Sequence, residues 1–143
     1  MANLNWLNQL SAFSVCAALS MSAYAQQTHG ICPALKHIVG AGDTASLRDD
    51  PAARPILAQG PVECHIAGNT YDCHWQAVSA SSDGTAAAAL QELGADIAAC
   101  LPDAVHDVNS PSRQHFYIKS DTARVNVTAT TQGNSQLRLV VSH

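Results

Sequence analysis

Four side chains in one alternating segment could together bind a metal ion: Glu63, His65, Asp72 and His74. If the chain folds back at the two-residue turn Gly68-Asn69, Glu63 lies opposite His74 and His65 lies opposite Asp72. Imidazole nitrogens and carboxylate oxygens are ligands that Zn²⁺ and Cu²⁺ accept. Opposite charges across two strands also stabilise an ordinary sheet. We favour the ordinary sheet, and a metal site at these four residues is the alternative hypothesis.

The other candidate groups give little support to catalysis. Cys64 and Cys73 each precede a histidine, but neighbouring strand residues point to opposite faces, so neither imidazole could activate the adjacent thiol. His106 and Asp107, in a predicted loop, could form half of an acid–base site, and His115 could serve a small hydrolase. The sequence predicts no nucleophile and no second carboxylate near these residues. We therefore predict no catalytic residue, no cofactor and no enzymatic activity.

The polar residues of the predicted strands form a surface that could bind a protein partner. Tyrosine and arginine are enriched at interfaces. The residues that we predict to contact a partner are His65, Asp72, His74, Tyr117, Lys119 and Arg138. The proline-containing segment 49–61 is a second candidate contact element, because a long loop in a compact domain is often functional.

The charge pattern argues against nucleic-acid binding. The formal net charge is −4 at pH 7, and the seven lysine and arginine residues are scattered along the sequence. A domain that binds DNA or RNA usually carries a basic patch. A protein partner is therefore favoured.

The segment that carries the histidines also carries two cysteines on its apolar face. Strand alternation predicts that its inward residues are Val62, Cys64, Ile66, Tyr71, Cys73 and Trp75. Cys64 and Cys73 then form a non-hydrogen-bonded pair, the closer of the two antiparallel pair types, which a disulfide can bridge. We favour Cys64–Cys73 together with Cys32–Cys100, which would join the two predicted helices. Two helix-to-hairpin bridges remain the open alternative.

The first 25 residues predict export of the protein. They carry no charged side chain, include the apolar run 10–19 and end in Ala23-Tyr24-Ala25, a small-x-small cleavage pattern. The apolar run is too short to span a bilayer. Cleavage near Ala25 would leave a single domain at 26–143 with four cysteines, an even number typical of two disulfides in an oxidising compartment. We expect a periplasmic or secreted protein without a stable membrane anchor.

Hydrophobic spacing predicts two helices, at 31–39 and 85–101. Alternation predicts five strands, namely the two arms of the hairpin and the segments 114–119, 124–130 and 136–142. The order α-ββ-α-βββ is typical of an α+β domain, an antiparallel sheet of about five strands with helices packed on one face. Because aromatic residues are few, we expect Trp75 and Phe116 to anchor the core.

The pattern of cysteines and tryptophan resembles that of small exported proteins of Gram-negative bacteria. It covers most of the chain after the leader and comprises Cys32-Pro33-Ala34-Leu35, Glu63-Cys64, Tyr71-Asp72-Cys73-His74-Trp75 and Ala99-Cys100-Leu101. In its general form the chain is also similar to periplasmic immunity proteins that neutralise type VI secretion cell-wall amidases. This resemblance implies a disulfide-braced inhibitor or binding protein without catalytic residues.

Overall fold

A computed structural model of the protein describes residues 30–55, 57, 60–79 and 84–143. The predicted leader at 1–25 lies outside the described residues. The described chain contains one antiparallel sheet of six strands and two α-helices. The predicted α+β class is therefore confirmed.

Every neighbouring pair of strands in the sheet is antiparallel. The strands are β1 (Glu63–Ala67), β2 (Thr70–Gln76), β3 (Val105–Asn109), β4 (Arg113–Lys119), β5 (Arg124–Gln132) and β6 (Gln136–Ser142). Their order across the sheet is β1-β2-β6-β5-β4-β3. Strand β6, the last in sequence, thus lies near the middle and joins the β1–β2 hairpin to the other three strands.

The prediction of about five strands was too low by one, because β3 was interpreted as a loop. Strand β3 lies at the sheet edge, where it pairs with β4, and its register shifts between His106 and Val108. Such a bulge places an extra residue on one strand and interrupts the regular alternation of faces. Alternation was the signal used to recognise strands, so a short, polar, bulged edge strand escaped it.

The two helices begin and end within one residue of their predicted bounds. Helix α1 spans Cys32–Gly40 with a proline in its first turn, and α2 spans Ala86–Cys100. Thr85 caps α2, because its hydroxyl oxygen accepts a hydrogen bond of 3.1 Å from the backbone N–H of Ala88. This is a standard helix start, and it satisfies one of the free N–H groups of the first turn.

Both helices bury their apolar residues against one face of the sheet, here called the inner face. The buried helix residues include Leu35, Ile38, Leu90, Leu93 and Ile97, and the buried strand residues include Tyr71, Cys73, Trp75, Phe116, Val127, Leu139 and Val141. Phe116 is completely buried and Trp75 is 7% exposed. The prediction that these two aromatic residues anchor the core is confirmed.

The described beginning of the segment 49–61, residues 49–55, is folded and packed instead of forming a free contact loop. It contains a 3-10 turn at Pro51–Ala53, preceded by another at Thr44–Leu47. Ala53 is fully buried, and its carbonyl oxygen accepts a hydrogen bond of 2.9 Å from the hydroxyl of Tyr71. The beginning of the segment is therefore packed against the hairpin.

Both disulfides have the favoured pairing, which rules out the helix-to-hairpin alternative. Cys32–Cys100 joins the start of α1 to the end of α2, and Cys64–Cys73 joins β1 to β2, with Cα atoms 5.4 Å and 4.1 Å apart respectively. Structural disulfides of this kind are typical of proteins outside the cytoplasm. Among the helices that the structure describes, none has the length and apolar character needed to span a bilayer.

Candidate functional site on the outer face of the sheet

The face of the sheet opposite the helices, here called the outer face, carries the charged residues of the strands. Its lysine and arginine residues are Arg113, Lys119, Arg124 and Arg138, and its carboxylates are Glu63, Asp72 and Asp107. Four of the seven basic residues of the chain thus lie on this face, although the chain as a whole has a net charge of −4. The outer face is the basic side of an acidic protein.

One group of polar residues, the hairpin cluster, consists of His65, Asp72, His74 and Arg138. The predicted register is confirmed: Gly68 and Asn69 form the turn, Glu63 pairs with His74, and His65 pairs with Asp72. His65 Nε2 lies 3.6 Å from Asp72 Oδ2, and His74 Nε2 lies 3.1 Å from Asp72 Oδ1. The two imidazole rings are stacked, with centroids 6.0 Å apart.

Asp72 points outward as predicted, but it is buried, whereas we expected it to face solvent. Its residue exposure is 4%, because Arg138 and the two histidines surround its carboxylate. Arg138 Nε donates to both carboxylate oxygens at 3.0 and 3.1 Å, and its Nη2 donates to Oδ2 at 2.6 Å. This bidentate ion pair forms because β6 lies beside β2, a pairing of residues 66 positions apart.

The electrostatics of the hairpin cluster keep Asp72 ionised. Burial raises the pKa of this carboxyl, but the hydrogen bonds and positive charge of Arg138, aided by His74 and His65, outweigh burial and lower the pKa below its usual value. A carboxylate of low pKa with an arginine bound to it is a poor general base at neutral pH. Asp72 is therefore suited to hold an arginine or a cation in place and not to take up a proton.

Glu63 does not join the hairpin cluster, although it lies opposite His74. Among the described residues, the group of three or more histidine, cysteine or carboxylate side chains whose ligand atoms all lie within 4.8 Å of one another consists of His65, Asp72 and His74. Glu63 is exposed at the sheet edge. Of the four metal ligands that the sequence suggests, the structure therefore brings together three, and Glu63 is excluded.

A second group, the β4 cluster, consists of Asp107, His115, Tyr117 and Arg124. His115 Nδ1 is hydrogen-bonded to Asp107 Oδ1, and the guanidinium carbon of Arg124 lies 4.1 Å from the centre of the Tyr117 ring. Arg124 Nε also donates to Asn126 Oδ1 at 3.0 Å, so the guanidinium is held on two sides. The hydrogen bond from His115 lowers the pKa of Asp107 despite slight desolvation, so this carboxylate is also ionised at neutral pH.

The structure separates His106 from Asp107, which we had considered as two halves of one acid–base site. His106 lies on the inner side, where its ring stacks on Phe116 at 3.9 Å and its Nε2 lies 2.7 Å from Gln114 Oε1. Gln114 Nε2 donates to Asn109 Oδ1 and to the Ser110 carbonyl, so Oε1 is the acceptor and His106 Nε2 donates. His106 is therefore an exposed residue whose ring covers Phe116 and Gln114, and Asp107 pairs with His115.

The two clusters lie on one row of the outer face. Asp72 pairs with Val140, Val140 with Thr128, and Thr128 with His115. Three strand spacings separate Asp72 from His115, a distance of about 14 Å. The half-buried Val140 and Thr128 lie between the two clusters on this row.

Asp72→Asn is expected to lower the free energy of unfolding at pH 7 by about 1–2 kcal/mol, since charge-assisted hydrogen bonds are lost while the partly exposed Arg138 regains water. The folded-state pKa of Asp72 is lowered. Its contribution is therefore complete above the unfolded pKa of about 3.9 and is lost as the pH falls through the lower folded pKa. Urea unfolding at pH 7 and below about pH 3 measures this change.

The matched control is Asp103→Asn, which removes an exposed carboxylate from the turn after α2 and should leave stability unchanged. A difference between wild type and Asp72→Asn that stays constant from pH 7 to acid would contradict the ion-pair interpretation.

Comparison with known proteins identifies no relative: no protein-family model, no curated protein and no solved structure matches this chain.

Proposed function

We propose that this chain is an exported, non-enzymatic binding protein whose outer face binds an acidic surface of a protein partner. The observation that carries the proposal is the outer face itself: it is left uncovered by the described helices and holds two pre-organised polar clusters about 14 Å apart. An interface of standard size covers about 800 Å² on each partner, which is enough to include both clusters.

The composition of this face suits protein recognition. Arginine and tyrosine are enriched among the residues that contribute most to binding energy. Arg124 is stacked on Tyr117, and Arg138 is held by Asp72, so both guanidinium groups are already positioned. Binding would cost less side-chain entropy here than at a surface of free lysines and arginines.

The charge of the outer face indicates the kind of partner. Its strands contribute four lysine and arginine side chains and three carboxylates, and two of these carboxylates, Asp72 and Asp107, are already paired within the face. Lys119 and Arg113 are exposed at opposite ends of β4. A complementary partner surface is therefore acidic, and electrostatic attraction would raise its association rate.

In its most concrete form, the proposed function is inhibition of another exported protein. The signal-like leader at 1–25 and the two disulfides support a location in the periplasm or outside the cell. The resemblance to immunity proteins suggests a cell-wall-degrading effector as the target. The carboxylates of both clusters, Asp72 and Asp107, have lowered pKa values and are already paired, so they are poorly suited to take up protons in catalysis. This supports a role in binding.

The inhibitor form can be tested with purified exported peptidoglycan hydrolases of the amidase type, incubated with the oxidised protein. We expect the oxidised protein to inhibit peptidoglycan hydrolysis and to bind the hydrolase in a titration. Tyr117→Ala should weaken binding at least tenfold, as expected for an interface hot spot. Lys119→Ala should mainly slow association at low salt.

Lys36→Ala is the matched control, because it removes one exposed lysine from α1, away from the outer face. It should leave binding within twofold of wild type, a range of about 0.4 kcal/mol. Equal losses for Lys36→Ala and Tyr117→Ala would contradict the assignment of the outer face. A hydrolase that neither binds nor is inhibited would overturn the inhibitor form of the proposal.

A further inference from the structure

The hairpin cluster also has the composition of a transition-metal site. One ring nitrogen of His65, one ring nitrogen of His74 and one carboxylate oxygen of Asp72 all lie within 4.8 Å of one another. A tetrahedral ion with ligand bonds of about 2.0–2.1 Å requires ligand atoms about 3.4 Å apart. The observed 3.1 Å between His74 Nε2 and Asp72 Oδ1 is already close to that value. His65 Nε2 lies 3.6 Å from the other carboxylate oxygen, Oδ2, so this imidazole must turn to share an ion with Oδ1.

The backbone under these three ligands is held in several ways. His65 and His74 directly follow Cys64 and Cys73, whose disulfide fastens β1 to β2. The hairpin is closed by a two-residue turn at Gly68, whose φ is +60°, and β2 is paired along its length with β6. The side chain of His65 is 60% exposed and that of His74 is 34% exposed. The site requires a rotation of the exposed His65 imidazole, which brings its nitrogen onto the ion.

Arg138 supplies the outer support that such a site needs. Ligating carboxylates in metalloproteins are usually oriented by a further hydrogen bond. Arg138 provides two such bonds to Asp72 Oδ2 and one to Oδ1, so Oδ1, the oxygen facing His74, retains a lone pair for an ion. The guanidinium charge opposes a cation, so binding must depend on the bonds to the two imidazole nitrogens.

We propose that His65, His74 and Asp72 form a binding site for a divalent transition-metal ion of the Zn²⁺ or Cu²⁺ type, with the fourth position open to solvent. The two imidazoles select these ions over Mg²⁺ and Ca²⁺, which require oxygen ligands. The site does not depend on the proposed partner binding, since it needs only residues of the hairpin and β6.

The test is a calorimetric titration of the full, oxidised, chelator-treated protein with zinc chloride and, separately, with copper chloride. We expect one ion per chain with a dissociation constant in the micromolar range or below, and tighter binding of Cu²⁺ than of Zn²⁺. Magnesium and calcium chloride should give no saturable binding. His65→Ala and His74→Ala should each weaken binding at least tenfold, because even the loss of an outer-shell partner usually costs that much.

His37→Ala is the matched control. His37 Nε2 lies 2.6 Å from Asp50 Oδ2, so it is also an imidazole paired with a carboxylate, but it lies on α1. This variant should bind zinc and copper as the wild type does. Circular dichroism and urea unfolding of His65→Ala and His74→Ala check that the hairpin remains folded.

Saturable binding that both hairpin variants lose and His37→Ala retains supports the site. Absence of binding for both ions, retention of full affinity in His65→Ala and His74→Ala, or an equal loss in His37→Ala would each overturn it.

Discussion

Replacing Cys32 and Cys100 by alanine is expected to lower the free energy of unfolding by about 4 kcal/mol, the largest effect of any pair of substitutions considered. The two cysteines are 68 positions apart, and a cross-link over a loop of that length removes much of the conformational entropy of the unfolded chain. This contribution is a large fraction of the net stability of a domain of this size. The measurement is urea unfolding of the oxidised wild type and variant, compared as free energies extrapolated to water, because loss of the cross-link expands the unfolded chain and raises the m-value.

The second disulfide is the internal comparison for this prediction. Cys64 and Cys73 are only 9 positions apart, so their replacement by alanine should cost about 3 kcal/mol. The hairpin also keeps its pairing with β6 when that bridge is removed. A larger loss for the Cys64/Cys73 variant than for the Cys32/Cys100 variant would contradict the loop-length explanation.

Phe116→Ala is expected to lower the free energy of unfolding by about 3–5 kcal/mol, because it removes a large, completely buried ring and leaves a cavity. Phe116 also supports the ring of His106, which stacks on it at 3.9 Å and anchors β3 to the core through Gln114. The loss should therefore include loosening of the β3 edge. Urea unfolding measures the total, and amide hydrogen exchange of β3 measures the local part.

Tyr117→Ala is the matched control for Phe116→Ala, since the next residue of β4 is also aromatic but points to the outer face. Its stability loss should stay near 1 kcal/mol, the scale of a surface cation–π contact. Similar stability losses in the two variants would show that the assignment of inner and outer faces is wrong. The Tyr117 variant is also the one expected to lose partner binding.

Two pairing predictions depended on local patterns and are confirmed by the structure. The alternation between Val62 and Trp75, with a glycine at the turn, predicted the register that places Cys64 opposite Cys73. The hydrophobic spacing that predicted the two helices also placed Cys32 and Cys100 on them, where the two sulfurs could meet. Such patterns repeat every two or 3.6 residues, so a short stretch of sequence is enough to show them.

The sequence-based predictions were wrong where the alternation of a strand is interrupted, and where a strand distant in sequence packs beside a residue. Strand β3 has a bulge, and its residues were interpreted as a loop, so His106 and Asp107 were considered together although they face opposite sides. Asp72 was expected in solvent because the hairpin was considered by itself, without β6 beside it. The contact between Arg124 and Tyr117 likewise required the register of β4 against β5.

The sequence by itself determined the α+β class, the bounds of the helices, the hairpin register and the outward side chains of every strand except β3. Only the tertiary structure decided that β6 lies between β2 and β5, which brings Arg138 onto Asp72 and closes the hairpin cluster. It also decided that Asp107 pairs with His115. The physical reason is that the face of a residue depends on its immediate neighbours, whereas its partner across a sheet depends on which distant strand pairs most favourably beside it.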